Sequence, residues 1–173
     1  LVENLGDVPL SAVQVLDNLA ATFAGATSFG GVSAASGDFT VNAGYNGAGD
    51  TNVLAGTDSL PVAGSGTITV TVMVTPGANL GPYDNVAIAT GTSPGGTLVR
   101  DVSDDGVNPD PDGDGNADEP GENDPTPVTF DEIRLLLAGE KSVWSQWKGL
   151  PPRSGPAVVR NRPRAATSPR RTF

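Results

Sequence analysis

The 173-residue chain contains no cysteine and no histidine. Disulfides, thiolate metal sites, cysteine nucleophiles, serine triads and imidazole zinc sites are therefore excluded. Lysine is absent before Lys141, so a Lys–Asn isopeptide staple cannot form within residues 1–130. Those residues carry one basic side chain, Arg100, against seventeen Asp and Glu, a balance of −16. Such a surface repels phosphate backbones, which argues against nucleic acid binding by this part of the chain. Aromatic residues are only 5% of the sequence, and neither tryptophan precedes residue 144. No apolar run approaches the roughly 20 residues of a membrane-spanning helix, and no signal-peptide pattern is present. The chain opens on strand-like residues at Leu1 without an initiator methionine. That predicts a piece of a longer protein with its first strand truncated.

Hydrolytic catalysis needs a positioned base and nucleophile. Without imidazole or thiol, a paired-carboxylate glycosidase is the remaining option. The acids, however, crowd a Gly/Pro loop that cannot hold two carboxyl groups at a fixed separation. The expectation is a non-catalytic protein.

What is present points to an all-β domain over residues 1–130, rich in Gly, Thr, Ala, Val and Asp. Val13 and Val15 alternate with Gln14 on an early strand ending at Asp17. A strand-like piece spans 20–29, with Phe23 and Phe29, and another spans 38–41. The clearest strand is 67–75: Ile68, Val70, Val72 and Val74 face one way, and threonines with Met73 face the other. Residues 85–90 and 97–102 flank Ser93-Pro94-Gly95-Gly96, a hairpin signal. Residues 127–130 make a last strand. About seven short strands between turn residues predict an antiparallel β-sandwich.

Between two of these strands lies NPDPDGDGNADEPGEND, residues 108–124. Alternating carboxylates aim several oxygens into one small volume and repel one another until a hard cation such as Ca²⁺ is captured. The pattern D-x-[DN]-x-[DN]-G-x₅-E fits in two registers. From Asn108, the ligand positions are Asn108, Asp110, Asp112, Asp114, Asn116 and Glu119, with Gly113 at the sharp turn; this is the better match. From Asp110, they are Asp110, Asp112, Asp114 and Asp118 with Gly115 at the turn, but Gly121 falls where the bidentate acid belongs. Asp104 and Asp105 complete a site if the hairpin end folds over. Prolines flank the loop in place of helices, so the expectation is EF-like loop chemistry without the EF-hand fold. The competing reading is a solvated acidic linker.

VENLGDVPLSAVQVLDNL (2–19), GTITVTVMVTPGANLGPYDNVAIATGTSPGGTLVRDVSDDG (66–106) and DPDGDGNADEPGENDPTPVTF (110–130) resemble the DUF11-type conserved repeat of large bacterial surface proteins. The most specific pieces are the N-x-G…V-x-V-x-D start and the N-x-A-x-A strand. The resemblance implies an Ig-like sandwich in a tandem array, outside the cell or on the bacterial surface. It also implies a structural or adhesive role, with neighbouring repeats as partners and an extracellular protein or polysaccharide as a possible ligand. Asp17 is the family's best-matched position and is expected to cap a turn.

After Phe130 the composition changes. Residues 131–149 could form one short helix, with Ile133, Leu136 and Leu137 on a common face and Trp144 and Trp147 three apart. Residues 150–173, rich in proline and arginine, predict a disordered basic tail. A second functional reading is a carbohydrate-binding accessory module of a secreted enzyme. It requires Tyr45 and Tyr83 to share an exposed face, while Phe23, Phe29 and Phe39 pack inside.

Overall fold

Alternation on the early strand becomes β2 (Leu10–Asp17), where Val13, Val15 and Asp17 are buried. It lies between β4 (Asp58–Leu60) and β8 (Ala87–Thr92), and β8 is paired on its far side by β9 (Leu98–Val102). This four-stranded sheet is antiparallel throughout. Ala12, with a φ of 52°, sits where the register of β2 shifts against both neighbours. The expected hairpin joins β8 to β9: Ser93 N–H donates to the Thr97 carbonyl, and Gly96 N–H to that of Ser93.

Among the described residues, three two-stranded pairs accompany this sheet. β1 (Val2–Glu3) pairs with β5 (Ser65–Gly66), β3 (Ser28–Ser36) with β6 (Ile68–Thr75), and β7 (Tyr83–Asn85) with β10 (Thr126–Val128). The computed structural model describes residues 1–116, 119 and 121–132. The molecule is thus all-β in several antiparallel sheets. The helix expected over 131–149 lies outside the described residues except for Asp131 and Glu132, which are irregular; the tail over 150–173 lies outside them entirely.

The core gathers Val13, Val15, Leu19, Phe23, Phe39, Tyr45, Val53, Leu54, Leu60 and Tyr83. Gly66 belongs there because its neighbours demand it: a Cβ at this position would collide with the Phe39 ring. The alternating face of β6 packs against this cluster through Ile68, Val70, Val72 and Val74, but only half-buried. Phe23 stacks obliquely on Phe29 (6.1 Å) and Tyr83 (5.5 Å), and Tyr83 meets Phe130 edge-on at 6.0 Å.

Two expectations are corrected. The piece over 20–29 is not one strand: it divides into α1 (Leu19–Thr22), a turn, and the start of β3. Asn18 explains the change, because its side chain accepts the Ala21 N–H at 3.1 Å and caps a run that includes two alanines, the best helix former. The cap is therefore Asn18 and not Asp17. The strand expected over 38–41 contributes only the bridge between Val41 and Leu54.

The motif residues behind the family resemblance have structural work. Asn4, buried, reaches the carbonyls of Val8, Leu60 and Pro61 through Nδ2 and accepts the Gly6 N–H through Oδ1. Asn85 accepts from the Thr22 hydroxyl at 2.7 Å, while Ala87 and Ala89 pack on the core.

Candidate metal centre

Seven carboxylates fall between Asp110 and Asp124. Short side-chain to backbone bonds shape the loop that carries them. Asn108 Oδ1 accepts the Asp110 N–H at 3.2 Å, Asp112 Oδ1 that of Asp114 at 3.0 Å, and Asp114 Oδ1 that of Asn116 at 2.7 Å. Each side chain bonds the backbone two residues on, as Asn and Asp do in turns. Asp110 also accepts the N–H of Gly113 through Oδ1 (2.8 Å) and that of Gly115 through Oδ2 (3.0 Å). These glycines have φ of 76° and 84°, a region that residues with a Cβ avoid. The chain therefore winds around the Asp110 carboxylate.

Two sets of oxygens converge. Asp110, Asp112 and Glu122 each place a carboxylate oxygen within 4.8 Å of the others, and so do Asp112, Asp114 and Glu119. Oxygens sharing one Ca²⁺ at roughly 2.3–2.6 Å lie no more than about twice that distance apart. Either set is compatible with one ion.

Glu122 gives the first set its meaning. It is 6% exposed, and neither of its carboxylate oxygens has a hydrogen-bond partner. Burial, and then the charges of Asp112, Asp110, Asp114 and Glu119, push its carboxyl above the usual range. A buried acid facing two others without a donor is costly, because desolvation and repulsion act together. A divalent cation would remove both penalties.

Of the expected ligands, Asp110 and Asp112 converge in the first set, and Asp112, Asp114 and Glu119 in the second. Asn108 braces the Asp110 backbone, and the Asn116 amide donates to Glu119 Oε1 at 2.8 Å. Asp118 lies outside the described residues. Asp104 accepts the Asp124 N–H at 3.2 Å and so closes the base of the loop, while Asp105 is exposed. The second set ends on Glu119, the twelfth position of the register that starts at Asn108, and the first set draws in an acid beyond the register that starts at Asp110. That acid is Glu122, one place beyond Gly121. A strict twelve-position pattern overlooks Glu122; allowing one residue of slack would have found it.

A second buried acid lies elsewhere. Asp17, 5% exposed, sits beside the side chains of Asn85 and Tyr45, although Asp17 Oδ1 and Tyr45 Oη both fall short of good hydrogen-bond geometry. Burial pushes the Asp17 carboxyl up, and these two neighbours offset part of the shift. Burial, then the Asp17 charge, pushes the Tyr45 hydroxyl up as well. An acid whose pKa is raised by folding stabilises the fold while protonated, and that contribution is lost as pH rises through the folded-state pKa. Asp17→Asn should therefore raise the melting temperature at pH 7 and flatten the fall in stability from acid to neutral pH. A lower melting temperature at pH 7 would show that the fold needs this charge.

Tyr45 and Tyr83 are both buried, and the Tyr83 hydroxyl donates to the Asn79 carbonyl at 2.6 Å. They belong to the core, so they do not form an exposed sugar platform. Among the described residues no helix is long and apolar enough to cross a membrane. No protein-family model matches the chain, and no curated protein or solved structure matches it either.

Proposed function

We propose that residues 1–130 form an Ig-like, non-catalytic structural or adhesive module of a bacterial cell-surface or secreted protein, stiffened by one Ca²⁺ in the acidic loop. The observation that carries the cation is Glu122, buried and without a partner, facing Asp110 and Asp112. Asp114 and Glu119 supply further oxygens to the same loop. An ion there would tie residues 110–122 together between β9 and β10, where the chain passes from one sheet to another. A spacer-like module with no disulfide gains stiffness from such a clamp. The surface location and the tandem arrangement rest on the likeness to DUF11-type repeats, with neighbouring repeats as the partners it implies.

The test is a calorimetric Ca²⁺ titration of the chelator-treated chain. One site with a Kd near 10⁻⁴ M is expected, about the affinity of extracellular modules. Asp112→Ala combined with Asp114→Ala should abolish the heat of binding. A parent protein that shows no heat with calcium at millimolar concentration would overturn the reading.

A further inference from the structure

We propose that the cleft on the inward face of the β2–β8–β9 sheet is a ligand site, and that it takes an aliphatic molecule with one cationic head, such as an alkylammonium. This inference is independent of the cation in the acidic loop.

The cleft has a volume of about 400 Å³. Small-molecule sites occupy roughly 300–1,000 Å³ and are mostly apolar, with a few placed polar groups. Val13, Val15 and Leu60, all buried, form the floor, and Leu5, Val8 and Val99 form an exposed rim. Apolar side chains that are exposed together around an apolar floor mark a binding surface, whereas single scattered ones do not.

Strand register decides which polar group enters. Partners across an antiparallel ladder share a face. Val15 lies opposite Ala89, and Ala89 opposite Asp101, so these three form one row across the sheet. Val15 is buried and Ala89 packs on the core, which places the Asp101 side chain on the inward face among apolar groups. Val99, two residues earlier on β9, shares that face.

The charge of the cleft follows from the same alternation. Glu3, Asp101 and Asp104 border it. Arg100, the one basic residue of 1–130, borders it too, but it lies opposite Thr90 in the row of Gln14, so its side chain belongs to the other face. Low-dielectric walls and charges of one sign focus the field and draw ligands of the opposite sign. An anion would meet three carboxylates, and a neutral chain gains nothing from them. An alkylammonium suits both surfaces. Its chain covers the valine and leucine floor, and its head brings three N–H donors to the Asp101 carboxylate.

The experiment titrates the full chain, in chelator, with octylammonium, octanoate, octan-1-ol and ethylammonium, and follows the backbone amide shifts. Octylammonium should bind at one site, shift the amides of Val15, Ala89, Val99 and Asp101, and bind at least about tenfold more tightly than octanoate or octan-1-ol. Ethylammonium has the charge without the chain and should leave those amides in place. Asp101→Asn keeps the shape of the side chain and should bring octylammonium to within about threefold of octan-1-ol. Val99→Trp fills the rim from a position that is 40% exposed, so the fold should tolerate it, and octylammonium binding should be lost. If Asp101→Asn does not fold, the octanoate comparison and Val99→Trp decide. Octanoate or octan-1-ol binding as tightly as octylammonium would overturn the proposal. So would shifts confined to residues 110–122, undiminished binding by Val99→Trp, or no binding at all. Calcium is absent throughout, so failure here leaves the acidic-loop site standing, and that site fails only in its own calcium titration.

Discussion

Without calcium, Glu122→Gln should melt at a higher temperature than the parent protein; with calcium, it should melt at a lower one. The two halves of this crossover have one cause. In the ion-free state, Glu122 is a buried charge with no donor, opposed by Asp110 and Asp112. Glutamine keeps the shape and removes the charge, so the ion-free fold loses a repulsion. The same replacement removes an anionic ligand, so the ion-bound fold loses a bond. For the parent, millimolar calcium with a Kd near 10⁻⁴ M adds about 1.4 kcal/mol, by the mass-action stabilisation of a native-only site. For a domain of this size that corresponds to roughly 5 °C. The variant should keep less than about a quarter of that response. Asp105→Asn, an exposed acid outside both oxygen clusters, is the control and should leave the response unchanged. A Glu122→Gln protein that melts lower without calcium and keeps the full response would show that Glu122 faces no cation.

Leu54→Ala should be the most damaging single core truncation, ahead of any valine on β6. Leu54 is 0% exposed, its carbonyl accepts from Gln14 Nε2 at 2.7 Å, and its N–H donates to Gln14 Oε1 at 2.9 Å. Those bonds, with the bridge to Val41, pin the backbone and prevent it from collapsing into the space left by the side chain. Buried leucine-to-alanine changes cost roughly 2–5 kcal/mol, with the upper end reached where the site cannot relax. That is a large share of a typical stability of about 5–15 kcal/mol. A fall in melting temperature of about 10 °C or more is expected. Val72→Ala, on the half-buried face of β6, should cost less than half as much. Thermal melts of the two variants check the order, and a larger loss at Val72 would mean that β6 is covered in solution.

That order could not be read from the sequence. Residues 67–75 carry the cleanest alternation in the chain, which makes them look like the centre of the core. Val53 and Leu54, a short apolar pair between turns, look peripheral. Alternation reports which face of a strand is inward, and that much was correct for β6. It does not report how many neighbours cover that face. Coverage depends on pairings distant in sequence, such as Leu16 with Asn52 and Val41 with Leu54. The piece over 20–29 shows a local limit of the same kind. Two alanines and a phenylalanine are compatible with either a strand or a helix, and the Asn18 cap decides for the helix.

The acidic loop divides in the same way. Local chemistry in the sequence placed Asp110, Asp112, Asp114 and Glu119 in one loop, because charge spacing and glycines are visible residue by residue. Glu122 was hidden, since its role depends on burial and on what it faces.

Sequence alone therefore determined the all-β class, the inward face of β2 and of β6, the β8–β9 hairpin and the position of the acidic loop. All of these follow from nearest-neighbour alternation, turn residues and local charge. Tertiary structure alone decided that Leu54 is central, that Tyr45 and Tyr83 are core residues, and that, among the described residues, Glu122 is stranded without a partner and β6 is paired on one side only. Each of these is a statement about coverage, and coverage is set by strands and loops brought together from distant parts of the chain.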